Sequence, residues 1–183
     1  MRLLPVLLLM LLSALPASAL EVAGVTLEPA VIVNGHPLKL NGHGIRKKFF
    51  VKVYVGSLYS AKRLATPAEA LRYADDRLIR MNFLHSKVEK GKIIEAFSEG
   101  FSNNSPDLAG SAEVKQFLSL FTADFSRGDV VDLVLDSAGT VVVRHNSRVL
   151  GSIASGRLAR GIMAIYFGER PADEALKNGM LGR

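Results

Sequence analysis

Asn41-Gly42-His43-Gly44-Ile45-Arg46-Lys47-Lys48-Phe49-Phe50-Val51-Lys52-Val53-Tyr54-Val55-Gly56-Ser57-Leu58-Tyr59 reads as a glycine-punctuated turn that delivers an arginine into a long β-branched and aromatic strand. Side chains alternate across a strand with period two. The odd positions Phe49, Val51, Val53 and Val55 are apolar, which predicts a core face. The even positions Phe50, Lys52, Tyr54 and Gly56, with Arg46 in the same parity, predict the wall of a cleft holding a cation and a phenol.

Outward from this stretch, short alternating runs from Leu20 to Leu40 are broken by Glu28-Pro29 and by Asn34-Gly35, a two-residue hairpin signal. Asn41-Gly42 repeats the cue. Downstream, Thr66-Pro67-Ala68-Glu69 opens a short helix with a capping box and a proline in its first turn. Arg77 to Leu84 is strand-like, with Ile79, Met81 and Phe83 on one side. Ser86-Lys87-Val88-Glu89 has the pattern of a second capping box, ahead of a helix carrying Ile94, Phe97 and Phe101 and stopped at Asn103-Asn104-Ser105-Pro106. A third helix over about 111–122 carries Val114, Phe117, Leu118 and Phe121. These stripes read as core packed on a sheet, part of which can line an apolar pocket.

Asp129 to Asp136 and Thr140 to Arg144 predict a β-hairpin, and Arg148 to Ile153 a further strand. Ser155 caps a helix with Leu158, Ile162, Ile165 and Tyr166 on one side, ended at Gly168, and Pro171-Ala172-Asp173-Glu174 starts the last helix. Strands grouped early and late, with helices in runs, predict an α+β domain on a largely antiparallel sheet.

At the N-terminus, Arg2, the apolar run Leu3 to Leu12 and Ala17-Ser18-Ala19 have the parts of a secretory signal peptide. The expected division is 1–19 signal peptide and 20–183 a single domain, exported and periplasmic, with no stable membrane span after cleavage. The absence of cysteine excludes thiolate chemistry and disulfides. A net charge of +6 favours anionic partners, and the leader argues against nucleic acid. Protein partners cannot be read from the sequence.

The four histidines are scattered, without metal-ligand spacing, so no metal is expected. Gly42-x-Gly44 lacks the further glycine and lysine of a phosphate loop, and Gly151-Ser152 is not a nucleophile elbow. No cofactor is implied. What remains is Arg46 with Tyr54, a guanidinium fork and a phenol able to clamp a carboxylate or phenolate. The alternative pairs Arg46 with a surface acid and packs Tyr54 in the sheet.

Gly42-His43-Gly44-Ile45-Arg46 followed by Phe50 to Tyr59, with Phe167-Gly168-Glu169, Pro171 and Leu176-Lys177 near the end, resembles the chalcone isomerase superfamily. The resemblance implies an open-faced β-sandwich, helices covering a large antiparallel sheet with the ligand cleft between. In the plant enzymes the arginine matching Arg46 stabilises a phenolate during cofactor-free ring closure, which would make Arg46 catalytic in an isomerase or intramolecular lyase acting on a phenolic enone. Those enzymes add a threonine on the strand and a tyrosine and asparagine on the next helix. This chain has Tyr54, Lys87 and Ile94 there. The fatty-acid-binding branch instead holds a carboxylate with an arginine and a tyrosine, which matches Arg46 and Tyr54. The resemblance thus implies a non-catalytic binder of a fatty acid or similar amphipathic anion. Its ligand-binding residues would be Arg46 and Tyr54 at the head group, with Phe97 and Phe101 along the acyl slot, while Lys52, on the face of Tyr54, meets either ligand or solvent. A third reading is an envelope interaction protein with a vestigial cleft.

Overall fold

The structure is a computed structural model describing residues 19–183, so the expected signal segment lies outside the described residues except for Ala19. Along the chain run β1 (Leu20–Val22), β2 (Val25–Leu27), β3 (Ala30–Val33), β4 (His36–Lys48), β5 (Val51–Ser60), α1 (Pro67–Arg72), β6 (Arg77–Phe83) and β7 (Lys87–Val88). Then come α2 (Lys90–Asn104), α3 (Ala112–Ser119), β8 (Phe125–Ser126), β9 (Val130–Leu135), β10 (Thr140–His145), β11 (Arg148–Ala154), α4 (Gly156–Phe167) and α5 (Glu174–Met180). Seven strands form one antiparallel sheet in the order β11-β10-β9-β6-β5-β4-β3. The expected α+β architecture, a large antiparallel sheet covered by helices, is the one observed.

The quoted stretch folds differently from its reading. It is a hairpin, not one strand: β4 runs through Gly42 and Gly44, and the chain turns at Phe49-Phe50 before β5. Arg46 and Tyr54 are therefore direct cross-strand partners, which still places them on one face. The expected odd-numbered core face forms only in part, with Val55 fully buried and Val53 packed against the main core. Phe49 and Phe50 stand in solvent at the tip, while the even-numbered Tyr54 and Leu58 join the main core.

Glycine at 42 and 44 has a reason other than a turn. Helix α5 crosses β4 so closely that a Cβ on Gly44 would lie 2.9 Å from the Leu176 Cα, and one on Gly179 would overlap the His43 carbonyl oxygen. Glycine in a strand often marks such an approach of another backbone. Beside it Asn41 acts as a latch. Its Nδ2 donates to the carbonyls of Leu64 (2.9 Å) and Met180 (2.8 Å), and its Oδ1 accepts the Leu64 N–H (2.7 Å). The Asn34-Gly35 turn forms as expected, with both residues at positive φ between β3 and β4.

Adjacent residues on a strand face opposite sides, and β6 separates the two cores accordingly. Ile79, Met81 and Phe83 face the helices, whereas Leu78 joins a smaller cluster with Val33, Leu38, Tyr59 and Val134 on the other side. On the helical side Phe97, Phe101, Phe117 and Phe121 form an aromatic nucleus with centroid distances of 5.1 Å for Phe97–Phe117 and 5.9 Å for Phe101–Phe117, both edge-to-face.

Helix α1 has the capping box read from its sequence: Thr66 Oγ1 accepts the Glu69 N–H and Glu69 Oε2 accepts the Thr66 N–H. The second capping box does not form. Lys87-Val88 pairs as a strand with Phe125-Ser126, and α2 begins at Lys90, whose N–H donates to Asp124 (3.0 Å). Helix α5 begins after Pro171, with Asp173 as its cap, Oδ1 accepting the Leu176 N–H (2.9 Å).

Candidate functional site

A cavity of about 610 Å³ lies between the β4–β5 hairpin, β6, α2 and α4, within the size range of small-molecule sites. Its apolar wall includes Val53, Met81, Ile93, Phe97 and Ile165. A polar corner is formed by Arg46 on β4, Tyr54 on β5 and Tyr166 on α4. Charged side chains edge it: Lys48 from the hairpin, Lys87, and Glu89, Lys92, Glu95 and Glu99 at and along α2.

Arg46 is tethered to the start of α5 and borders the Tyr54 phenol. Its Nη1 donates to the Ala172 carbonyl and stands 3.8 Å from Asp173 Oδ2, with the arginine side chain 17% exposed. Asp173 is already engaged, capping α5 through Oδ1 and accepting the Lys47 N–H (3.1 Å) through Oδ2. The arginine's bonds to the start of α5 run through Nη1, and the Tyr54 phenol is its hydrogen-bonding neighbour on the cavity side. The close crossing of α5 over Gly42 and Gly44 is what brings Ala172 and Asp173 to this arginine.

Tyr54 is 6% exposed, with its ring edge-on to Phe83 at 5.8 Å. Burial pushes its phenol above the ordinary value, and the nearby Arg46 charge pulls the other way. Tyr166 is buried beside it, its hydroxyl 3.5 Å from Met81 Sδ, and burial pushes its phenol well up. Both phenols therefore keep their protons at neutral pH, and Tyr54 stands in hydrogen-bonding reach of both Tyr166 and Arg46. In the sequence Tyr166 stands only on an apolar stripe. A single phenol among aliphatic residues was the signal that it had a polar partner.

Of the other sequence-based candidates, Phe97 lines the cavity. Phe101 is fully buried against Phe117 and stays outside the lining. Lys52 is exposed, opposite Lys47 near the hairpin tip, and also lies outside the lining. Among the described residues no three histidine, cysteine or acidic side chains gather as a metal site.

Helices roofing an antiparallel sheet, with an apolar cavity between the layers, define an open-faced β-sandwich. The chain belongs to the chalcone isomerase-like family, whose model matches residues 19–182. Fatty-acid-binding protein 1 of Arabidopsis thaliana is 26% identical over 178 aligned residues, covering 80% of this chain. The chain spans 64% of that relative's length. The crystal structure of an Arabidopsis thaliana fatty-acid-binding protein superposes with a TM-score of 0.67 at 22% identity, covering 87% of this chain and 92% of that one, and so shares its fold.

Proposed function

We propose that this protein binds a fatty acid or similar amphipathic anion without transforming it. The observation that carries the reading is the polar corner, where a half-engaged guanidinium and two protonated phenols converge on an apolar cavity. A carboxylate there would accept charge-assisted bonds from Arg46 and neutral ones from Tyr54 and Tyr166, the charged bonds contributing about 1.5–3 kcal/mol each. Its acyl chain would lie along Ile93, Phe97 and Ile165, at about 0.8 kcal/mol per buried methylene. The chain thus supplies most of the affinity and Arg46 the choice of head group. The name of the Arabidopsis relative supports the same ligand class.

Ring closure is the weaker reading. Lys87 is paired with Asp124 at 3.3 Å and Ile94 lies outside the cavity lining, so neither supplies the tyrosine and asparagine of the plant enzymes. Export of the domain belongs to the proposal on the strength of the leader sequence at residues 1–19.

Native mass spectrometry after mild purification tests the reading. A copurified acid, with fatty-acid affinity reduced in Arg46→Ala, is the expected result. No copurified acid and an unchanged affinity in that variant would overturn it.

A further inference from the structure

The β4–β5 hairpin carries apolar side chains out beyond the mouth of the cavity, Phe50 lying outside its lining altogether. Phe49 is 87% exposed, Phe50 is 102% exposed and Val51 is 42% exposed, so three consecutive apolar side chains stand in water at the tip. Phenylalanine is normally among the more buried residue types. Phe49 also adopts φ +53°, a region that glycine or asparagine occupies easily and a bulky residue does not. A strained aromatic at an exposed tip points to use of the side chain.

The charges around the tip choose its partner. Lys47, Lys48 and Lys52 flank the two phenylalanines, and among the described residues none of the three forms an ion pair. On the opposite rim Lys87 is paired with Asp124 and Lys92 with Glu95, while Glu89 and Glu99 add negative charge. Around the cavity mouth, then, the unpaired positive charge lies on the hairpin side. Two rings on a narrow turn form a wedge, not the broad flat patch of a stable protein interface. Aromatic side chains that enter the headgroup boundary, with lysines reaching back to lipid phosphates, are the chemistry of reversible attachment to an anionic bilayer. Neither signal alone holds a protein there, and this hairpin carries both.

We propose that the Phe49-Phe50 hairpin, with Lys47, Lys48 and Lys52, docks the domain on an anionic lipid surface. Phe49, Val51 and Lys48 also line the cavity, so docking brings the cavity mouth to the bilayer. An amphipathic ligand would then pass between membrane and protein without crossing bulk water. The docking goes beyond the ligand-binding reading and can fail independently of it.

The test uses residues 19–183, which contain every described element, in flotation with vesicles of phosphatidylcholine alone or mixed with phosphatidylglycerol. Wild type should float with the anionic vesicles, and less with neutral ones or at roughly 0.5 M salt. Phe50→Ser should raise the lipid concentration for half-binding about tenfold. Phe50 lies outside the cavity lining, so that variant should keep its affinity for monomeric lauric acid. The chain has no tryptophan, so Phe50→Trp supplies a lone indole at the tip. Its emission should shift to the blue and be quenched by lipids with brominated chains. Wild type that stays in the aqueous fraction at every lipid concentration would overturn the proposal, and so would unshifted indole emission on bound protein. A hairpin made for a protein partner would give one of those results. Failure of lauric acid binding in wild type would count against the cavity reading alone.

Discussion

Replacing Gly179 by alanine should reverse the usual sign of that substitution in a helix. In an unobstructed helix, glycine to alanine stabilises by up to about 1 kcal/mol. At Gly179 the new Cβ would overlap the His43 carbonyl oxygen and lie 3.0 Å from the Gly44 Cα. Both are backbone atoms of β4, where His43 and Gly44 are paired with Ser57 and Gly56 of β5, so the strand cannot easily turn away. Helix α5 must lift instead. Overpacking of this kind costs about 1–3 kcal/mol, and an obstruction made of backbone belongs at the upper end. After the gain in helix propensity, the net loss is about 2 kcal/mol, or about 4–8 °C in Tm for a domain of this size. Gly91 in α2 is the control, since a Cβ there meets nothing within 4 Å. Gly91→Ala should raise Tm by about 1–3 °C. Differential scanning calorimetry on both variants decides the matter. A Gly179→Ala protein that melts at or above wild type would refute the close α5–β4 crossing and, with it, the account of how Ala172 and Asp173 reach Arg46.

Phe117 is fully buried at the centre of the aromatic nucleus, in edge contact with Phe97, Phe101 and Phe121. Phe117→Ala should cost about 3–5 kcal/mol, visible as a lower urea midpoint with an unchanged slope. A midpoint within error of wild type would move the core elsewhere. The buried phenols predict an alkaline limit. Unfolded tyrosines release their protons near pH 10, whereas burial holds Tyr54 and Tyr166 protonated to higher pH in the folded state. Their neutral-state contribution is fully present below about pH 10 and is lost as pH rises beyond it, because the unfolded chain then binds fewer protons than the folded one. Stability against pH above about 10 should therefore fall less steeply in Tyr166→Phe than in wild type, and parallel curves would remove the phenol from the account.

Local chemistry made much of the architecture legible. The capping box at Thr66 and Glu69, the cap at Ser155 and the β9–β10 hairpin each announce themselves within a few residues, and each forms. What failed depends on distant partners. The turn at Phe49-Phe50 carries none of the usual turn residues, while the glycines that resemble one, Gly42 and Gly44, answer to a helix about 130 residues further on. Ser86-Lys87-Val88-Glu89 has capping-box spacing, but Val88 pairs with Phe125 and the segment becomes a strand. At the site, Arg46 and Tyr54 were readable as sharing a face, although across two strands and not along one. Tyr166 was hidden in the stripe that buries it. Phe97 and Phe101, one helical turn apart, both touch Phe117, but the Phe101 ring lies against Gly161 of α4 while Phe97 faces the cavity, a difference set by a helix far along the chain.

The central claim is that Arg46 selects an anionic head group for the cavity. Titration calorimetry with lauric acid and with the alcohol of the same chain length, on wild type and Arg46→Gln, tests it most directly. Loss of one charge-assisted contact of about 1.5–3 kcal/mol should weaken the acid about 10- to 150-fold and leave the alcohol almost unchanged. Equal effects on acid and alcohol, or no effect on either, would contradict it.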